Sequence, residues 1–275
     1  MKDERAPEPA ARGVGEELGA GKLARLSLKA LGRDDAFIRL ALVPVLASFA
    51  IDLLLVFSGL VDALDPTRKE PPPPSAIFGV LLLGFANILC FVLFSVNWTR
   101  QLLLGPAAVP GLGLRWGARE TRYLGRALLI WILFALALTV VAFLVAAVFG
   151  QSGLTMLLLL TALLVGLFLT VRPMLMLPAA ALDSPFTLRQ ALAVSSRMAG
   201  RIFGALVIVY LPFLLAILLL VTIAGLLGLA AAAPYALIFI QVVINYGILA
   251  AVAGVLAYAF RAVAGGRPGA AATAS

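Results

Sequence analysis

Six apolar stretches, at 37–60, 76–96, 127–149, 154–171, 202–229 and 235–260, decide what this chain can become. Each is close to the roughly 20 residues that a helix needs to cross a bilayer core of about 30 Å. In hydrocarbon a backbone must satisfy its own hydrogen bonds, so each stretch is expected to be a helix. Composition agrees. Hydrophobic residues make up 63% of the chain and charged residues 12%, against about 25% charged in soluble domains. The reading is an all-α polytopic membrane protein with six transmembrane helices in three hairpins. The first stretch follows a long charged segment and exceeds the roughly 7–15 residues of a signal-peptide core, so it is expected to stay as an anchor. GQSG at 150–153 is expected to be a tight turn between the third and fourth spans.

Nineteen of the 21 lysines and arginines fall on one side of this arrangement. They occupy the N-terminal segment up to Arg39, the 97–126 and 172–201 connections, and the tail. Only Arg68 and Lys69 lie opposite, beside Asp62, Asp65 and Glu70. Positive loops stay cytoplasmic, so both termini are expected on that side. The net charge of +8 is therefore read as orientation. Nucleic-acid binding is not expected, because no basic groove with interleaved aromatics is present. Segments 1–21 and 265–275 are expected to be disordered, flanking a membrane domain at 22–264. KEPPPPS at 69–75 reads as a stiff extended spacer.

Arg39, Arg126 and Arg201 stand where the three hairpins begin, and Arg100, Arg172 and Arg261 where they end. Snorkelling explains each one alone. Together they form a candidate surface for anionic lipid heads. DSPFTLRQALAVSSRMAGRIFGAL, starting at Asp183, reads as an amphipathic surface helix at about 184–200. Arg189, Gln190, Ser196, Arg197 and Arg201 share one arc, with Leu188, Ala191, Leu192, Met198, Ala199 and Ile202 opposite. Ser184 followed by Pro185 reads as its cap and first helical residue. Thr187 and Gln190 offer an alternative capping box. Such a helix lies on the membrane with its arginines toward phosphates. The candidate headgroup contacts are Arg189, Arg197 and Arg201, helped by Arg126 and Arg172. A related basic stretch, RLSLKALGRDDAFIRLAL, precedes the first span, with Lys29 and Arg33 on one turn and Asp34 or Asp35 as the cap of the span.

Three segments carry a resemblance: SLKALGRDDAFIRL before the first span, NWTRQLLLG after the second, and RPMLMLPAAALDSPFTLRQALAVSSRMAGRIFGAL between the fourth and fifth. In this order they resemble a group of six-span bacterial inner-membrane proteins. They are also similar to the membrane domain attached to some glycerophosphodiester phosphodiesterases. The positions that match are Arg172, Leu177, Pro178, Ala179, Leu188, Arg189, Ala191 and Arg197. The resemblance covers most of the membrane part but not the termini. It implies the fold and an inner-membrane location, and no activity.

An ionisable residue inside a span is a functional candidate by default, and Asp52 is the best one here. Its depth matches that of Gln241, while Asn87 and Asn245 both fall near the midplane. Two polar levels are expected, Asp52 with Gln241 and Asn87 with Asn245, which requires the sixth span to approach the first two. Interhelical hydrogen bonds worth about 1 kcal/mol or less would account for all four. No second carboxylate, histidine or lysine lies in the spans to extend Asp52 into a relay. Pro212, Gly225 and Gly228 are candidate kinks in the fifth span.

The chain has no histidine, so neither a Ser-His triad nor a histidine metal site is available. The single cysteine, Cys90, reads as an apolar residue. LGAGK at 18–22 is not a phosphate loop, because Glu16 holds the first glycine position and Leu23 the hydroxyl position. No enzyme activity, metal or cofactor is expected. The reading is a membrane-organising or accessory protein engaging anionic lipids at its cytoplasmic face. The alternative is a small-solute or lipid transporter with a path lined by Asp52, Asn87, Gln241 and Asn245. A membrane-protein partner or a homo-oligomer stays open.

Overall fold

A computed structural model describes residues 18–264 apart from 33–34, 64–70, 151, 197 and 229–231. The expected disordered tail at 265–275 and most of 1–21 lie outside the described residues, as do Asp34, Arg197 and the start of the proline spacer. Helices dominate, and no strand occurs among the described residues. They are α1 (Ala20–Leu31), α2 (Ala36–Phe57), α3 (Leu60–Ala63), α4 (Pro74–Leu104), α5 (Ala118–Phe149), α6 (Gly153–Met174), α7 (Met176–Ala181), α8 (Leu188–Ser195), α9 (Ala199–Leu226) and α10 (Pro234–Val263). Six are long and apolar enough to cross a membrane, counting α6 and α7 as one run from Gly153 to Ala181. The chain is a multi-pass, all-α membrane protein.

Local chemistry sets most boundaries. Pro74 opens α4 and Pro234 opens α10, where the missing N–H costs nothing. Gly150 ends α5 with φ 60°, and the Ser152 hydroxyl accepts from the Thr155 amide at 3.3 Å to start α6. This is the tight turn expected from GQSG. Two helices overrun their apolar stretches: α4 continues to Leu104 and α5 begins at Ala118. Nothing in NWTRQLLL or in ARETRYLGR stops a helix, since neither contains proline, and the long basic side chains extend out of the apolar layer.

Two expectations need correction. Residues 20–21, assigned to a disordered segment, already belong to α1. The surface helix expected at 184–200 is only α8. Ser184 and Pro185 precede it without helical structure, and the cap is the Thr187 box. The Gln190 amide donates to Thr187 Oγ1 at 3.3 Å, and the Thr187 amide donates to Gln190 Oε1 at 2.8 Å. At the other end, the Ser196 hydroxyl donates to the Ala193 carbonyl at 2.8 Å and the Ser195 hydroxyl to Leu192 at 3.4 Å. Serines that bond back in this way compete with helix continuation. The chain restarts as α9 at Ala199.

The spans pair as hairpins α2 with α4, α5 with α6, and α9 with α10. The helix α10 is the hub, touching α1, α2, α4 and α9. Membrane helices pack through small residues, because lipid offers no hydrophobic penalty to escape. Ala250, Ala251, Ala253, Ala257 and Ala259 are accordingly buried on α10. Gly254 presses on Ser27 of α1, and a Cβ at Gly247 would meet the Phe213 ring of α9 at 3.0 Å. An aromatic group closes α2 onto α4 and α10: Phe37 meets Phe94 and Trp98 edge to face, Tyr246 meets Phe94 edge to face at 5.2 Å, and Phe94 stacks on Trp98. The basic helix α1 is not a surface ornament. Its Leu23, Ala24 and Ser27 are buried among α6, α7, α9 and α10, and the Ser27 hydroxyl donates to the Ala251 carbonyl at 2.5 Å.

Candidate functional site

The ends of the hairpins that carry α1, α7 and α8 form the basic end of the bundle, and arginines there do two different things. One set ties the connection after α6 to its neighbours. Arg100 Nη1 donates to the Ala181 carbonyl at 3.2 Å, and its Nη2 to Ala108 at 3.3 Å. Arg126 Nη1 donates to Met176 at 2.9 Å, and Arg172 Nη2 to Leu192 at 2.8 Å. Ala181, Ala108 and Leu192 lie in the last turns of short helices, whose carbonyls lack an intrahelical N–H donor, and Met176 lies at the break between α6 and α7. Arg119 grips Asp183 through Nε at 2.8 Å and Nη2 at 2.6 Å, and Arg122 Nη2 meets the other carboxylate oxygen at 2.5 Å. Asp183 has φ 58°, so two cations hold the residue at which the chain turns away from α7.

The second set faces outward. Lys22, Arg25, Lys29, Arg115, Arg189 and Arg261 are exposed and make no ion pair with the described residues. Three of them form the outer face of α1, opposite its buried Leu23, Ala24 and Ser27. The residues expected to hold headgroups therefore separate. Arg189 is exposed. Arg126 and Arg172 each commit a donor to main chain, and Arg172 Nε is buried with no partner. Arg201 is half-buried and already engaged, and Arg197 lies outside the described residues. Sequence reasoning singled out Lys29 and Arg33 before the first span but not Lys22 and Arg25, which share the outer face of α1 with Lys29. The signal for that face was present in KLARLSLK, where apolar residues recur at helical spacing.

The intramembrane polar residues also regroup. The sixth span does approach the first two, but not through the expected pairs. The Ser48 hydroxyl donates to Asn87 Oδ1 at 2.6 Å and lies 2.8 Å from the Tyr246 hydroxyl, which also reaches the Pro44 carbonyl at 3.1 Å. Trp98 Nε1 donates to the Ala250 carbonyl at 2.9 Å. Since α10 turns Tyr246 toward α2 and α4, Asn245 points about 100° away and Gln241 about 140° away. Both are exposed, and neither bonds to a described residue. Asp52 is half-buried and likewise has no hydrogen bond among the described residues. The expected pairing of Asn87 with Asn245 and of Asp52 with Gln241 is thus replaced by a network of Ser48, Asn87 and Tyr246. Ser48 and Tyr246 could have been found by their depth, which matches that of Asn87.

A cavity of about 570 Å³ separates α5 from α4, α9 and α10. No group of three or more His, Cys, Asp or Glu side chains that could hold a metal occurs among the described residues. No family model, curated protein or solved structure matches the chain.

Proposed function

We propose that the chain is a non-catalytic accessory protein of the bacterial inner membrane that gathers anionic lipid around its basic end, which faces the cytoplasm. The observation that carries this reading is the set of six exposed cations at one end with no carboxylate partner among the described residues. An anionic membrane surface attracts such residues by about 1 kcal/mol each. Because its apolar side is packed on α9 and α10, α1 holds Lys22, Arg25 and Lys29 on a fixed ridge. Retention of positive loops on the cytoplasmic side supports the orientation, and the lack of histidine supports the absence of catalysis. A transporter with a path around Asp52 has less behind it: Asn87 is closed into its network with Ser48 and Tyr246, while Gln241 and Asn245 lie on other faces of α10 and neither bonds to Asp52.

Native mass spectrometry of the protein in mixed phosphatidylglycerol and phosphatidylcholine tests the proposal. The wild-type chain should retain phosphatidylglycerol preferentially. Replacing Lys22, Arg25 and Lys29 together by Gln should cut that preference by about tenfold or more, at about 1 kcal/mol per charge before screening. Equal preference in the variant would remove α1 as the lipid-gathering surface and with it this reading.

A further inference from the structure

The cavity against α5 has a second chemistry that the basic end does not share. Its walls are apolar, with Phe91, Leu128, Trp131, Ile248 and Leu249 among them, and no Lys, Arg, Asp or Glu lines it. Four polar side chains face it: Ser95, Tyr123, Tyr210 and Asn245. Tyr123 is buried and set against Ser95, so these two satisfy one another. Tyr210 and Asn245 are different. Both are exposed, and neither has a hydrogen-bond partner among the described residues. An amide without a partner in hydrocarbon costs several kcal/mol. Contact of Phe213 with Gly247 fixes the register of α9 against α10, which puts Tyr210 about 7 Å from Asn245 along the bundle axis, on its basic side. Toward the basic end its wall is formed by Leu177 packed with Val92 and Tyr123.

We propose that this cavity binds an uncharged glyceride, a mono- or diacylglycerol, with its hydroxyl and ester oxygens on Asn245 and Tyr210 and one acyl chain along the apolar wall. The Asn245 amide offers two donors and an acceptor, and the Tyr210 hydroxyl one donor, which suits a head that both accepts and donates. The volume admits about 20 non-hydrogen atoms at roughly 30 Å³ each, enough for a glycerol ester and most of one chain. The lack of any lining cation disfavours a phosphate head. Arg126, on the same helix as Tyr123, spends its Nη1 on the Met176 carbonyl instead.

Photocrosslinking of the full chain in lipid nanodiscs tests this, with a diazirine-bearing diacylglycerol compared with a phosphatidylglycerol carrying the same chain. The glyceride should label peptides of α4, α5 and α10. Asn245→Leu should weaken labelling about fivefold, the effect of about 1 kcal/mol, and adding Tyr210→Phe should weaken it further. Ala127→Phe, which fills the cavity, should abolish it. A thermal melt on each variant separates loss of binding from loss of fold. Glyceride labelling insensitive to Asn245→Leu and Ala127→Phe would overturn the proposal. So would phosphatidylglycerol that labels the same peptides as strongly and responds to the same substitutions. Lipid preference at Lys22, Arg25 and Lys29 is measured separately, so either reading can fail without the other.

Discussion

The helix α10 and the hairpin of α5 and α6 are both membrane-length and apolar, yet they sit in the molecule in opposite ways. Of the six spans, α10 is the least hydropathic and the most buried, with 28% of its most apolar window inside the protein. No span is more hydropathic than α5, and none is less buried, at 6%. In water the order would be reversed. In a bilayer the oily surface is already solvated, so burial follows small residues and hydrogen-bonding groups. Alanines, Gly247, Gly254 and Tyr246 draw α10 inward. Leucines, Phe143 and Val148 leave α5 facing lipid.

Two tryptophans test this contrast most directly. Trp98 is 1% exposed and bonded to α10, whereas Trp131 on α5 is 58% exposed. Trp98→Ala should destabilise the bundle by about 3–5 kcal/mol, read by reversible unfolding in mixed micelles. Trp131→Ala should change stability by no more than about 0.5 kcal/mol. Comparable losses would mean that α5 is packed as tightly as α10. Glycines give a smaller step. Gly254→Val drives a side chain into Ser27 and should cost about 1–3 kcal/mol, with faster proteolysis after Lys22 and Arg25 as α1 lifts. Gly166→Ala on α6 meets only the outer edge of the Phe134 ring, and its cost should stay below about 1 kcal/mol, as that ring swings aside. The smallest effect lies within the polar network. Ser48→Ala and Tyr246→Phe should each cost about 0.6 kcal/mol and be non-additive in a double-mutant cycle. Full additivity would show that the two hydroxyls do not depend on one another.

The spans were legible because length and hydropathy alone decide them, and the 150–153 turn because Ser152 and Gly150 are turn and cap residues. Side-chain direction was less so. A helix that is apolar all round carries no periodic mark of which face is inward, so depth placed Asn245 and Asn87 together when rotation sets them apart. The surface helix was overextended because the apolar pattern runs through SSRM, while the serine back-bonds that stop it are local. The tight lodging of α1 was hidden for a different cause. KLARLSLK has the pattern of a membrane-surface helix, and only Ser27, with an alanine carbonyl waiting 224 residues away, distinguishes a socket from a surface.

The socket of α1 is built largely from α9 and α10, which leave the ribosome after the other described helices. At about 5–20 residues per second, the first helix emerges roughly 10–45 s before the groove that receives it. During that interval its apolar face lacks the α9 and α10 walls of its groove. Seating α1 is therefore a late event of assembly, a latch that stays open until α9 and α10 have arrived.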